Sequence, residues 1–259
     1  MKNRFSLSDL DKIYSTHWKK GYGSIAKSEV LFLQKLIEEY RPQNFIEVGM
    51  ASGISGGSIA QMLDWCGAKT FTSIDYDNTF FGDPTKPNGF LIEKIYQGNN
   101  IEVAKLPFTT TLDLSSIGAK FDMGFIDANH QHPWPLIDTL LLYPFLTSPK
   151  ILIHHDLKLF RRQDVVYGIG PKYLFDQFPE RYRITTIEGG QNIFALDMSE
   201  IGVERLKNIA MDAFSLPWSL RSPLDQSTIS GVAKNLENVY GSDLKNLFLK
   251  STGKFNPIP

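Results

Sequence analysis

Four of the five histidines, His130, His132, His154 and His155, stand within a few residues of two acids, Asp127 and Asp156. Each acid follows an apolar run: Phe121 to Ile126 precedes the first, and Ile151 to Ile153 precedes the second. Short apolar runs closed by polar residues suit buried parallel strands. In an open α/β sheet, ligands sit beyond the carboxyl ends of such strands. Neighbouring strands lie about 4.8 Å apart, so adjacent strands would let Asp127 and Asp156 face one site. Paired carboxylates with imidazoles serve general-base catalysis, with His130 as the candidate base, or hold a divalent cation, with Asp127, Asp156 and His155 as the candidate ligands. Alternation along a strand sends His154 and His155 to opposite faces, so the four histidines cannot all converge. Each one alone also fits a polar strand-end residue bonded to a loop.

A second polar cluster closes an earlier run. After Asn44-Phe45-Ile46 comes Glu47-Val48-Gly49-Met50-Ala51-Ser52-Gly53, then Ile54-Ser55-Gly56-Gly57. Glycines there let the backbone approach a ligand closely, and the helix that follows presents free N–H groups. A dinucleotide fingerprint reads G-x-G-x-x-G, whereas this loop reads G-x-x-x-G after an acid, so a nicotinamide cofactor is disfavoured. The next strand-like stretch, Lys69 to Ile74, closes on Asp75, with Asp77 two residues on. A carboxylate in that place can accept hydrogen bonds from a ribose diol. An isolated acid there would be read as a turn cap; next to the glycine loop, the ligand-binding role is favoured.

These residues need a scaffold that delivers strand ends to one edge. Val30, Leu33, Leu36, Ile37 and Tyr40 recur at helical spacing over about Lys27 to Tyr40, and Arg41-Pro42 ends the pattern. A second helix carries Ile59, Met62, Leu63 and Cys66, and another carries Leu136, Ile137, Leu140 and Leu141 with Pro133 and Pro135 in its first turn. Asn78 to Asn88 reads as a long loop, Phe90 to Tyr96 as a short helix and Ile101 to Ala104 as a weak strand. Tyr182 to Glu188 and Asn192 to Asp197, around Gly189-Gly190-Gln191, form a closing hairpin pattern. The alternation predicts an α/β fold, a doubly wound, mostly parallel sheet with a C-terminal antiparallel hairpin and helical appendages. Residues 1–26 are expected as a lid or edge segment, 27–198 as the α/β domain, and 199–259 as a helical appendage serving as lid or oligomer contact.

Composition narrows the partners. The chain has 259 residues, 42% hydrophobic and 21% charged, the proportions of an ordinary globular protein. Lys plus Arg number 27 against 28 for Asp plus Glu, so the basic excess of a nucleic-acid-binding protein is missing. The one cysteine, Cys66, can build neither an internal disulfide nor a thiolate zinc site. The leucine-rich run Leu136 to Leu146 is too short to span a bilayer and contains Asp138, and Met1 to Lys12 lacks the apolar core of a secretory signal. A cytoplasmic protein acting on a small molecule, without nucleic acid or membrane, is expected.

Glu47-x-Gly49-x-x-x-Gly53 followed by Ser73-Ile74-Asp75 resembles motifs one and two of class I S-adenosylmethionine-dependent methyltransferases. Phe125-Ile126-Asp127-Ala128-Asn129-His130 and Ile153-His154-His155-Asp156 resemble the small-molecule O-methyltransferase branch often written I-D-G-D-H and F-H-D. The likeness covers roughly Ser28 to Asp197. It implies a Rossmann-like fold, with Glu47, Gly49, Ser52 and Gly53 lining the methionine half of S-adenosyl-L-methionine, Asp75 on the ribose, and Asp127 where the methyl group meets its acceptor. Ala128 and Asn129 depart from the usual glycine and acid, and Pro107-Phe108-Thr109-Thr110 replaces the acidic adenine turn. O-methylation of a small hydroxylated molecule is the leading expectation. The alternatives are a metal-dependent tailoring enzyme of the hydroxylase type, since two histidines and a carboxylate suit iron, and a non-catalytic binding protein.

Overall fold

The computed structural model describes residues 4–23, 25–186 and 192–256. Contacts divide the chain into two compact units: Met1–Thr110 with Lys120–Ala128, and Thr111–Ala119 with Asn129–Pro259.

The first unit contains helices α1 (Leu7–His17), α2 (Lys27–Tyr40), α3 (Ile54–Cys66) and α4 (Ile92–Ile95), and strands β1 (Asn44–Val48), β2 (Thr70–Asp75), β3 (Glu102–Pro107) and, after an excursion into the second unit, β4 (Phe121–Ile126). A capping box sets the start of α1: the Ser6 hydroxyl accepts from the Asp9 N–H while Asp9 accepts from Ser6. The other α helix with a strong apolar face, α2, ends at Arg41, whose φ of 46° is left-handed, immediately before Pro42. All strand pairs here are parallel: β1 lies between β2 and β4, and β3 pairs with the far side of β2. β1, β2 and β4 are short runs of mostly buried residues, Phe45, Phe71 and Phe125 among them, as expected for strands covered on both faces, whereas β3 is only partly buried. Asp122 fixes the start of the β1–β4 pair by accepting the N–H groups of Gln43 and Asn44 at 2.8 and 3.0 Å. The register then sets Glu47 opposite Ser73 on one side and Phe125 on the other. The stretch expected as a helix from Phe90 to Tyr96 shortens to the single turn of α4, and the weak strand expected at Ile101 to Ala104 runs on to Pro107.

The second unit holds α5 (Leu114–Ile117), α6 (Trp134–Leu142), β5 (Leu146–His154), α7 (Gly170–Gln177), β6 (Arg183–Thr185), β7 (Phe194–Asp197), α8 (Val203–Phe214), α9 (Gln226–Tyr240) and α10 (Ser242–Phe255). β7 pairs antiparallel with both β5 and β6. The two arms of the expected hairpin are thus antiparallel neighbours, and its turn, 187–191, lies outside the described residues. Parallel strands in the first unit and antiparallel C-terminal strands in the second bear out the expected α/β fold class.

The last three helices bury periodic faces. Leu206, Ile209, Ala210, Ala213 and Phe214 of α8, Val232, Leu236 and Tyr240 of α9, and Leu244 and Phe248 of α10 are all buried. Both α8 and α9 contact α6, and the Tyr240 hydroxyl donates to the carbonyl of Leu140 at 2.7 Å. Asp138 of α6 is buried and accepts the Thr111 hydroxyl at 2.7 Å; burial pushes its carboxyl up to about 6, against the opposing pull of that bond. No helix among the described residues is long and apolar enough to cross a membrane.

Phe248 has no exposed surface and packs against Phe214 and Trp218, with ring centroids 5.4 and 5.9 Å away. Phe248→Ala should therefore destabilise the protein by about 3–5 kcal/mol in urea unfolding, the cost of a large core truncation. A loss below 1 kcal/mol would show that this helix contributes no core.

Candidate active site

The loop between β1 and α3 takes its shape from two glycines. Gly49 has φ of 100°, and a Cβ there would lie 2.4 Å from the Asp127 carbonyl oxygen. Gly53 has φ of 92°, and its Cβ would lie 2.8 Å from Ile92 Cγ1. Only glycine meets both the left-handed backbone and the close approach. Backbone bonds hold the loop in place: the Gly49 N–H donates to Ile74, Asp127 donates to Val48, and Leu91 donates to the carbonyl of the buried Ser52, at 2.9, 2.9 and 3.0 Å.

Two carboxyl groups flank this loop in opposite surroundings. Asp75, half-buried at the end of β2, accepts the Met50 N–H on one oxygen at 2.8 Å and the Asp77 N–H on the other at 3.0 Å. An ionised carboxylate has about four acceptor positions, so two remain for hydroxyl donors such as a ribose diol. Glu47 instead is wholly buried beneath the loop and accepts the Ser55 and Ser73 hydroxyls at 2.7 and 2.6 Å. Burial pushes its carboxyl up to about 8; the two serine bonds oppose this, and the nearby charges of Asp127 and Asp75 add to it. The serines were not singled out in the sequence, although Ser73 stands directly opposite Glu47 in the β1–β2 register.

In the second unit the chain beyond β5 turns at Asp156, which has φ of 60°, a backbone conformation that costs energy for a residue with a side chain. Its carboxylate gathers three nitrogen groups. His130 Nε2 lies 3.0 Å from Oδ2, and on Oδ1 the Asn192 amide donates at 2.8 Å while His155 Nδ1 lies 3.4 Å away. Asn192 is locked in turn by the Lys158 N–H, which donates to its amide oxygen at 2.7 Å. His130 keeps 26% of its side-chain surface exposed and Asp156 17%, so the pair is reachable from solvent.

The other two histidines go elsewhere. His154 is buried in β5, stacked on Phe194 with centroids 5.3 Å apart and 3.3 Å from the Thr139 hydroxyl; burial lowers it to about 3. His132 is buried with Nε2 3.0 Å from the Ala213 carbonyl, and burial lowers it to about 4. Both rings are neutral at physiological pH and serve packing. Asp127, the last catalytic candidate, closes β4 in the first unit and is partly exposed.

A cleft of about 690 Å³ in the first unit lies between α1, α3 and the 94–100 segment, lined by Lys12, His17, Gln61, Trp65, Lys94 and Tyr96 among others and by none of the glycine-loop residues.

Residues 46–157 match the family model described as "Methyltransferase domain", a stretch that takes in the glycine loop, Asp75, Asp127, His130 and Asp156. This part of the chain is similar to methyltransferase domains. No curated protein matches the sequence. Among solved structures, the chain is similar to the O-methyltransferase TomG from Streptomyces achromogenes, involved in tomaymycin synthesis and solved with SAM. Identity there is 15%, over 76% of this chain and 91% of that one, with a TM-score of 0.52. It is also similar to SAH-bound PaMTH1 from Podospora anserina, at 13% identity over 75% and 89% of the two chains and a TM-score of 0.52. A methyltransferase from Geobacter sulfurreducens gives 14%, 75%, 92% and 0.50 in the same order. These likenesses establish the Rossmann-like fold.

The Glu47 carboxyl holds its proton up to about pH 8 in the folded protein, against 4.5 for a free glutamate. The folded state therefore binds more protons than the unfolded one across that window, and the stability linked to Glu47 falls as pH rises through it. Glu47→Gln cannot ionise. Its urea midpoint should decline less than that of the native protein between about pH 5 and 8; parallel declines would contradict this.

Proposed function

We propose that the protein transfers a methyl group from S-adenosylmethionine to an oxygen of a small hydroxylated molecule, with His130 as the base. The observation that carries this reading is the 3.0 Å contact between His130 Nε2 and Asp156, a base oriented by a carboxylate, within a stretch that matches a methyltransferase domain.

The residues at the glycine loop fit the cofactor. Asp75 offers unfilled acceptor positions at the end of β2, and the left-handed turns at Gly49 and Gly53 shape the loop beside it. The cofactor supplies a methyl carbon on a sulfonium leaving group. Asp75 holds the ribose hydroxyls, and the loop lines the methionine half, with Glu47 fixing the loop from below through Ser55. With Nε2–H donated to Asp156, Nδ1 of His130 is the nitrogen that takes the acceptor hydroxyl's proton. Asp156 keeps the ring in that tautomer and stabilises the positive charge it gains. On the family resemblance, we read Asp127 as a carboxylate that orients the acceptor.

The donors around Asp156 also bear on the metal question. His130, His155 and Asn192 already occupy its oxygens, so we read the cluster as a hydrogen-bonded network, and methyl transfer should survive exhaustive chelation. Loss of activity in chelator, restored by manganese, iron or zinc, would replace the network with a metal site. The methyltransferase match favours neither the hydroxylase-type reading nor the non-catalytic one. The lone buried Cys66 supports a reducing, cytoplasmic setting. We read residues 199–259, outside the matched stretch, as an addition to the 27–198 domain that governs substrate access or contact with a second copy.

With S-adenosylmethionine and a panel of phenols, catechols and sugars, His130→Ala should lower kcat about 10²–10⁴-fold, the usual contribution of a positioned base, and Asp127→Asn should lower it as well. Asp75→Ala should weaken cofactor binding by about 1.5–3 kcal/mol for each ribose hydrogen bond lost. Full activity in both His130→Ala and Asp127→Asn would remove the acceptor site.

A further inference from the structure

The loop that carries His130 is fastened in several places by residues beyond the methyltransferase match. After α8, the chain runs back along residues 129–133 and bonds to them repeatedly. The His132 N–H donates to the Ser219 hydroxyl oxygen at 2.8 Å, and the Ser219 N–H donates back to the His132 carbonyl at 3.0 Å. The Arg221 N–H donates to the Gln131 side-chain oxygen at 2.6 Å, and the His132 ring meets the Ala213 carbonyl at 3.0 Å. The same Ser219 hydroxyl donates to the Tyr167 carbonyl at 2.7 Å, so it also grips the loop that leaves Asp156. Gly170, at the end of that loop, donates to the His130 carbonyl at 2.9 Å. Trp218, next to Ser219, stacks on Phe248 of α10 with centroids 5.9 Å apart, which anchors the whole segment.

We propose that Ser219 is a positioning residue for methyl transfer: its single hydroxyl joins the loop bearing His130 to the loop leaving Asp156 and thereby holds imidazole and carboxylate in register. The inference rests on the reading of His130 as the base. A hydroxyl that accepts from one loop and donates to another has both its roles used, and alanine supplies neither. The His132 N–H and the Tyr167 carbonyl would then lose a shared partner, and the separation of His130 from Asp156 would no longer be set. Threonine keeps the hydroxyl.

The test uses the full chain labelled with ¹⁵N in its histidine rings, at about pH 8.5, where an ordinary imidazole is neutral. His130→Ala assigns the His130 signals, and His17 in the first unit serves as an internal control. In the native protein the His130 ring should show the Nε2–H tautomer. In Ser219→Ala it should move toward a mixture of tautomers while His17 stays in place, and Ser219→Thr should restore the native pattern. With any acceptor that the native enzyme methylates, Ser219→Ala should lower kcat about tenfold or more at unchanged KM for S-adenosylmethionine, and the His130→Ala/Ser219→Ala double variant should be no slower than His130→Ala alone. If Ser219→Ala shifts His17 as well, the protein has not folded natively, and Gln131→Ala, which removes only the Arg221 bond to the same loop, takes its place with the same expected tautomer change. An unchanged His130 ring in the folded variant, or losses that multiply in the double variant, would overturn the proposal. Full activity of His130→Ala would instead overturn the assignment of the base while leaving the tautomer result standing.

Discussion

The hydrogen bond from the Met50 N–H to the Asp75 carboxylate joins the loop after β1 to the end of β2, and the geometry of the cofactor side follows from it. A loop with two left-handed glycines has many conformations open to it when unfolded, and each glycine costs more entropy to fix than any other residue. The Asp75 bond and the buried Glu47 beneath remove that freedom from two sides. One carboxylate at the surface keeps acceptor positions for a ligand, while the other spends its oxygens on Ser55 and Ser73. Burial separates the two side-chain carboxyl groups: Asp75 has acceptor positions left, and Glu47 is committed to the architecture of the loop.

Burial sorts the histidines in the same way. His132 and His154 lie in apolar surroundings that hold them neutral, one against a carbonyl and one against a phenyl ring. His130 lies beside a carboxylate with part of its surface open to solvent. An imidazole that gains a proton needs a group to stabilise the resulting charge, and Asp156, 3.0 Å from His130, is such a group. The left-handed turn at Asp156 and the Asn192 clamp hold that carboxylate in place.

Much of this was legible in the sequence where the signal was local. The runs before Gly49, Asp75, Asp127 and His154 identified β1, β2, β4 and the end of β5, because a strand buried on both faces needs uninterrupted apolar residues. The spacing in α2 and α6 was equally plain. Short elements were not: α7, with Gly170 and Pro171 in its first turn, has too little apolar periodicity to read, and α4 is a single turn. The partners that orient the site were hidden for a different reason. Asn192 and Ser219 act from 36 and 87 positions away, through contacts that no local pattern encodes. Histidine clustering marked these stretches of the chain, but only packing decides which ring faces a carboxylate and which faces the core.

The central claim is that the glycine loop and Asp75 form a binding site for S-adenosylmethionine, and isothermal titration of the native protein with S-adenosylhomocysteine tests it most directly. The account predicts a single site with a dissociation constant in the micromolar range, about −8 kcal/mol. Absence of binding at millimolar ligand, with the protein folded, would contradict it.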